Sequence, residues 1–196
     1  MGHSMGGIIG ALACAAGRFK PGSLLLLDSA IPVAAERRPF LAELGARMLA
    51  CADADAMKQR QALERLSRDY VLQHLASPHD DRDTLDQIIE HMAGGDASRC
   101  GSIFKAASVV DFAPALRRID ARVSAIAADP ARLPIDGFRA CRPTSEVMQI
   151  RRVGHFVQLL APSTVNAAIL CMLDGSPLRG AGLEPVTAAA AAATSA

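Results

Sequence analysis

The chain has 196 residues, of which 51% are hydrophobic, and this length and composition suit one domain with a modest packed core. Its 21 Lys and Arg residues balance 20 Asp and Glu residues, and the resulting net charge of +1 argues against a nucleic-acid or anionic-membrane surface. Aromatic residues make up only 4% and Trp is absent, so a platform for stacking bases is not expected either.

The cysteines are odd in number and scattered, with no CxxC pair. They are Cys14, Cys51, Cys100, Cys141 and Cys171. This pattern predicts free thiols in a reducing compartment, and hence a cytoplasmic location. Metal ligation needs clustered Cys or His, so we expect neither a metal nor a cofactor. Because no apolar run is long enough to cross a bilayer, no membrane span is expected.

The first 33 residues predict a helix followed by a buried strand. The stretch GIIGALACAAGRF is rich in small residues, which would let a helix lie close against a sheet. The run SLLLLDSAIP is continuously apolar and bounded by turn residues, which is typical of a parallel strand buried on both faces. Residues 1–33 are therefore assigned to an α/β core.

Residues 34–108 have a different, helical pattern. Three stretches with apolar residues at helical spacing are DADAMKQRQALERLSRDYVLQHLA, DTLDQIIEHM and ASRCGSIFKAAS. They predict a helical insertion between two parts of the core.

Strand patterns return in residues 109–175. The segment RVSAIAAD and residues 147–150 predict two short strands, and APSTVNAAILCMLDG predicts a helix. The alternation predicts an α/β fold with a mostly parallel sheet and flanking helices. Residues 176–196 are low in complexity and predict a disordered tail.

The residues Gly2-His3-Ser4-Met5-Gly6 match the motif G-x-S-x-G, a known signature of a nucleophilic serine on a strand-to-helix turn. Small residues two positions before and after the serine keep the neighbouring backbone from colliding. The Met5 backbone N–H would then point at the oxyanion of an acyl intermediate. The motif predicts Ser4 as a nucleophile.

A serine hydroxyl needs a base, and His155 is the best candidate because it follows a predicted strand in a Gly-His-Phe turn. His3 lies inside the motif and is expected to pack or hydrogen-bond locally. The remaining histidines, His74, His79 and His91, fall in the helical insertion, where solvated helix faces are expected.

The acid that orients the imidazole is predicted to be Asp129, because it directly follows the strand RVSAIAA at the same sheet edge as Ser4 and His155. The order Ser4, Asp129, His155 is the one usual for this motif. Three rivals remain open: Asp28, Asp111 and, with less support, Asp136.

The stretches GHSMGGIIG, LLLLDSAIP, AIAADPARLP and VGHFVQLLAPSTVNAAI resemble the α/β-hydrolase superfamily over about residues 1–175. The resemblance implies the C-terminal part of that fold, with residues 34–108 as a helical cap over the site. It implies a serine hydrolase of the esterase type, acting on a small-molecule ester or related acyl compound without a cofactor.

In that family several strands precede the motif, whereas here it stands at residue 2. We therefore expect an incomplete fragment with low activity alone. Its open sheet edge is expected to favour self-association. The alternative is a non-catalytic assembly module whose edge pairs with another chain.

Overall fold

The computed structural model describes residues 1–52, 55–180 and 182–186. The strands of these residues form a single sheet: β1 (Gly2–His3), β2 (Ser23–Leu27), β3 (Arg122–Ala127), β4 (Val147–Ile150) and β5 (Leu183–Pro185). The α-helices are α1 (Met5–Ala15), α2 (Arg38–Ala50), α3 (Ala56–Tyr70), α4 (Arg82–Ala93), α5 (Ala97–Val109), α6 (Ala113–Arg117), α7 (Ile135–Cys141), α8 (Val157–Leu160) and α9 (Pro162–Leu173). A 3₁₀ turn at Ala35–Arg37 precedes α2, and a π-helical turn at Val71–Leu75 follows α3.

The strands lie in the sheet in the same order as in the sequence. Strands β1 to β4 are parallel, and β5 is antiparallel to β4. In the register, Leu27 lies beside His3 on one side and beside Ile126 on the other. The residues that follow β1, β2 and β3 therefore lie side by side at the carboxyl ends of the parallel strands. The predicted α/β class with a mostly parallel sheet is confirmed.

The central strands are apolar because both sheet faces are covered. Leu24 to Leu27 in β2 and Val123 to Ala127 in β3 are buried without alternation, which is the pattern of a parallel sheet between two layers. One layer includes α9, whose Val165, Ala168 and Met172 pack with Leu25 and Leu27. The core thus fixes the position and the register of β2 and β3, whose carboxyl ends lie side by side.

The described chain divides into two compact units. The first contains residues 1–32, 77–79 and the described residues from 112 onward, including the whole sheet. The second contains Val33–Ala76 and Asp80–Asp111 and is helical. In the second unit α3, α4 and α5 each begin at an aspartate whose carboxylate accepts an amide hydrogen of the first turn; these are Asp55, Asp81 and Asp96.

Two segments differ from the sequence-based prediction. Helix α2 has no counterpart among the three predicted helical stretches, although the insertion as a whole was expected to be helical. Part of the predicted tail is ordered, because Leu183–Pro185 pairs with β4 through Ile150 and its neighbours. Residues 187–196 of that tail lie outside the described residues. Among the described helices, none combines the length and hydropathy that a membrane crossing requires.

Candidate active site

Ser4 occupies the sharp corner between β1 and α1. Its φ of 50° and ψ of −124° place a non-glycine residue in the left-handed half of the conformational map, which is strained. The Ser4 N–H donates to the Leu27 carbonyl at 3.0 Å, and the Ser4 carbonyl accepts from Gly7 at 3.1 Å. The corner is therefore held by the neighbouring strand on one side and by the first turn of the helix on the other.

The corner depends on glycines, but on a different pair from the one that the motif predicts. A Cβ built on Gly2 would lie 2.6 Å from the Gly7 backbone, and one on Gly7 would lie 2.0 Å from the Ser29 Oγ. A Cβ on Gly6 would meet nothing within 4 Å in the described part of the chain. The close contact in this corner is thus between Gly2 and Gly7, and Gly6 lies in open space.

Met5 is the first residue of α1. The first amides of a helix have no acceptor within the helix, and they carry the positive end of its dipole. The Met5 N–H directly follows Ser4, and there it would stabilise an oxyanion formed beside the Ser4 hydroxyl.

His155 lies in the loop between β4 and α8 and is almost fully buried, with 3% of its surface exposed. Its Nδ1 lies 2.7 Å from Asp28 Oδ2. Because a carboxylate oxygen accepts, Nδ1 carries the hydrogen and donates, and in a neutral imidazole the lone pair then lies on Nε2. The geometry is that of an imidazole held in the tautomer that a general base requires.

Asp28 follows β2 directly and is completely buried, with a φ of 40°. Its Oδ1 accepts three backbone N–H hydrogens, from Ala128 at 3.2 Å, Arg132 at 2.8 Å and Leu133 at 3.2 Å. Its Oδ2 is left for His155. A buried carboxylate requires such partners, and here they also fix the direction in which the second oxygen points.

Asp129, the acid predicted from the sequence, does not make the predicted hydrogen bond to the His155 imidazole. Its Oδ2 accepts the Arg152 N–H at 3.0 Å, and its own N–H donates to the Val153 carbonyl at 2.7 Å. These bonds tie the end of β3 to the loop that carries His155. The structure thus corrects the expected partner of His155 from Asp129 to Asp28.

The sheet register explains this correction. Leu27 pairs with Ile126, so Asp28 lies level with Ala127, the last residue of β3. The Asp28 N–H still donates to the Ile126 carbonyl at 2.7 Å, whereas Asp129 lies two residues beyond Ala127 and belongs to the loop. The sequence did carry a signal, because an aspartate that continues the apolar run LLLL is predicted to be buried and to need partners.

Neither of the other two acids lies at the end of a parallel strand. Asp111 belongs to the helical unit, between α5 and α6. Asp136 lies in the first turn of α7, a helix of the sheet-containing unit. Neither position follows a strand of the sheet, which is where Asp28 is found.

The histidines of the predicted insertion are not all on solvated faces. His91 is exposed in the last turn of α4, as expected. The His74 ring, however, packs at 4.5 Å from the Phe40 ring, measured between centroids. His79 belongs to the sheet-containing unit, where its Nδ1 lies 3.3 Å from an Arg152 nitrogen.

His3 was expected to interact locally, but its partner lies 152 residues away. Its Nε2 lies 2.9 Å from the His155 carbonyl oxygen, so this nitrogen carries the hydrogen and donates. The two rings are 4.5 Å apart between centroids. Ser4 and His155 are therefore linked through the residue next to the serine.

These groups are of the kinds that nucleophilic catalysis requires. A hydroxyl lies on a strained turn, a buried imidazole is oriented by a carboxylate, and a helix amide follows the hydroxyl. In the residues that the structure describes, no group of three or more His, Cys, Asp or Glu side chains is arranged to hold a metal ion.

Comparison with solved structures shows the same fold in proteins of low sequence identity. MenH from S. aureus has a TM-score of 0.66 and 14% identity, covering 89% of this chain and 66% of its own. A thermophilic esterase from Thermogutta terrifontis has a TM-score of 0.70 and 16% identity, covering 89% and 63%. A bromoperoxidase from Bacillus anthracis has a TM-score of 0.67 and 15% identity, covering 88% and 66%.

No protein-family model matches the chain, and no curated protein matches it. The chain spans less than two thirds of the length of the solved structures named above. At these identities the likeness concerns the fold. At that level the resemblance identified from the sequence is confirmed.

Proposed function

We propose that this chain, whose fold is that of the α/β-hydrolases, is a serine hydrolase of carboxylic esters or related acyl compounds. The observation that carries the proposal is the buried bond of 2.7 Å between His155 Nδ1 and Asp28 Oδ2, together with the positive φ of Ser4 and the bond from its neighbour His3 to the His155 carbonyl. The proposed nucleophile is Ser4, the base is His155 and the acid is Asp28. Asp129 is proposed to position the loop that carries His155.

In the first step Ser4 Oγ attacks the carbonyl carbon of the ester, and its proton passes to His155 Nε2. Asp28 stabilises the imidazolium that forms, because its Oδ2 already accepts the Nδ1 hydrogen. The negative oxygen of the tetrahedral intermediate is stabilised by the Met5 N–H. Collapse of this intermediate expels the alcohol, which takes the proton from Nε2, and leaves an acyl group on Ser4.

In the second step a water molecule attacks the acyl carbon. His155 Nε2 takes a proton from that water, and collapse of the second intermediate returns the proton to Ser4 Oγ and releases the carboxylic acid. In each step one proton passes through His155 Nε2, from Ser4 to the alcohol in the first step and from water to Ser4 in the second. The order of residues in the chain is then Ser4, Asp28, His155, and not Ser4, Asp129, His155.

The substrate is proposed to be a small molecule with a mainly apolar acyl group. We propose the helical unit, Val33–Ala76 with Asp80–Asp111, as the cap that selects this group. The net charge of +1 supports an uncharged substrate over a polyanion. All five cysteines are free thiols, which supports a reducing compartment such as the cytoplasm.

Covalent labelling tests the proposal. A fluorophosphonate probe reacts with an activated serine, so we expect one label per chain, located on Ser4 by peptide mass spectrometry. Ser4→Ala is expected to remain unlabelled, and His155→Ala is expected to slow the reaction because the base is lost. The same variants are compared in hydrolysis of p-nitrophenyl acetate.

The matched controls are Ser102→Ala and His91→Ala, which remove an exposed serine and an exposed histidine of the helical unit. Both are expected to be labelled on Ser4 as fast as the wild-type chain. Equal labelling of the wild type and Ser4→Ala, including no labelling of either, contradicts the proposed function.

A second candidate function rests on strand β1, which lies at the edge of the described sheet. An edge strand presents unpaired backbone groups that can pair with another chain. We propose self-association through this edge. Size-exclusion chromatography with light scattering is expected to give a mass above that of the 20.5 kDa monomer. A monomer over the whole concentration range would contradict this candidate.

A further inference from the structure

The residue before the proposed nucleophile makes two contacts with the proposed base. His3 Nε2 donates to the main-chain carbonyl of His155 at 2.9 Å, and the two imidazole rings lie 4.5 Å apart at an angle of 48°. Phe156 closes the group, with its ring 5.6 Å from that of His3. His3 thus contacts the main chain and the ring of the same residue.

His3 remains neutral at the pH at which an ordinary histidine titrates. Burial, followed by the neighbouring His155, lowers the pKa of His3 from 6.5 to about 4. The bond to the His155 carbonyl and the Asp28 carboxylate act in the opposite direction but do not reverse the shift. His155 and Asp28 are the titratable groups that act on His3, one from the loop after β4 and the other from the end of β2.

We propose that His3 is a positioning residue, a neutral imidazole that holds the His155 loop against the Ser4 corner. The inference rests on the proposed function, because it assigns a role at the same site. In this role His3 acts through His155 and keeps its own proton throughout. Its neutrality matters because a second cation beside His155 would oppose the imidazolium that forms when His155 accepts the Ser4 proton.

Two substitutions separate the hydrogen bond from the shape of the ring. His3→Phe keeps an aromatic ring but removes the donor, whereas His3→Gln keeps a neutral N–H donor without the ring. We expect kcat for p-nitrophenyl acetate to fall about tenfold in His3→Phe, which corresponds to the loss of one hydrogen bond. KM is expected to change less than about twofold, and His3→Gln is expected to recover kcat to within about threefold of the wild type.

A merely structural role gives a different result. Equal kcat in all three proteins, or an equal loss of kcat in His3→Gln and His3→Phe, overturns the proposal. Circular dichroism at the assay temperature shows that each variant is folded before its rate is compared.

NMR titration of the histidine rings tests the proposal without an activity assay. In the wild-type chain we expect one imidazole, absent from the spectrum of His3→Gln, to stay neutral until the pH falls below about 5. A His3 ring that titrates near 6.5 overturns the proposal. Since the unfolded chain binds this proton at about 6.5 and the folded chain at about 4, wild-type stability is expected to fall relative to His3→Gln as the pH falls through this interval.

The kinetic and the NMR measurements together distinguish the failure of this inference from the failure of the proposed function. If the wild-type chain reacts with neither probe nor ester, the proposed function fails, and the downfield Nδ1–H resonance of His155 decides the role of His3. A resonance that is kept in His3→Gln and lost in His3→Phe supports positioning of the His155 ring by the His3 donor. A resonance unchanged in both variants overturns it.

Discussion

Replacing Asp28 by asparagine is expected to lower kcat for ester hydrolysis about 10⁴-fold while the chain stays folded. The backbone N–H groups of Ala128, Arg132 and Leu133 all donate to Asp28 Oδ1, and an N–H group cannot accept a hydrogen. In Asp28→Asn they would keep the amide oxygen, and the NH₂ group would face His155 Nδ1. Nδ1 would then have to accept, which places the hydrogen on Nε2 and leaves no lone pair for the Ser4 proton.

The matched control is Asp129→Asn. The Asp129 side chain accepts the Arg152 amide hydrogen, and an asparagine oxygen can replace that acceptor. We expect its kcat to stay within about threefold of the wild type, because the asparagine oxygen still accepts the Arg152 amide hydrogen and the loop stays in place. Steady-state kinetics on both variants, with circular dichroism to establish folding, decide between the acids. A large loss in Asp129→Asn together with a small one in Asp28→Asn contradicts the assignment.

Gly2→Ala is expected to destabilise the chain by about 1–3 kcal/mol and to reduce Ser4 labelling at least tenfold. The added Cβ would lie 2.6 Å from the backbone of Gly7 and 2.7 Å from that of Gly6, where no side-chain rotation gives relief. The corner must therefore open, and Ser4, whose strained φ depends on that corner, moves away from His155. Both stability and labelling rate respond to the same displacement.

Gly6→Ala is the matched control, because it adds the same methyl group four residues away in the same motif. Its Cβ would meet nothing within 4 Å in the described part of the chain, and it lies in α1, where alanine is favoured over glycine by up to about 1 kcal/mol. We expect equal or higher stability and unchanged labelling. Chemical denaturation and the rate of probe labelling test both variants. Equal destabilisation by the two substitutions would contradict the prediction that the close Gly2–Gly7 contact excludes a side chain at Gly2.

Much of the architecture follows from local patterns. The apolar run before Asp28 predicts a buried parallel strand, and residues 147–150 form the predicted strand without a shift of boundary. The first of these predictions succeeds because a strand buried on both faces has a composition of its own. The strand Leu183–Pro185 has no such pattern. It exists by pairing with β4, and a low-complexity segment gives no sign of that partner.

The sequence by itself determined the class of the fold and the position of the serine, since a glycine-flanked corner followed by a small-residue helix is a local property. Tertiary structure alone decided which acid faces the imidazole, because Asp28 and Asp129 both follow apolar strands and differ only in register. It also decided that His3 reaches His155, 152 residues away. A motif of neighbouring residues is enough to mark the corner, whereas the partners of a buried polar group depend on how distant strands align.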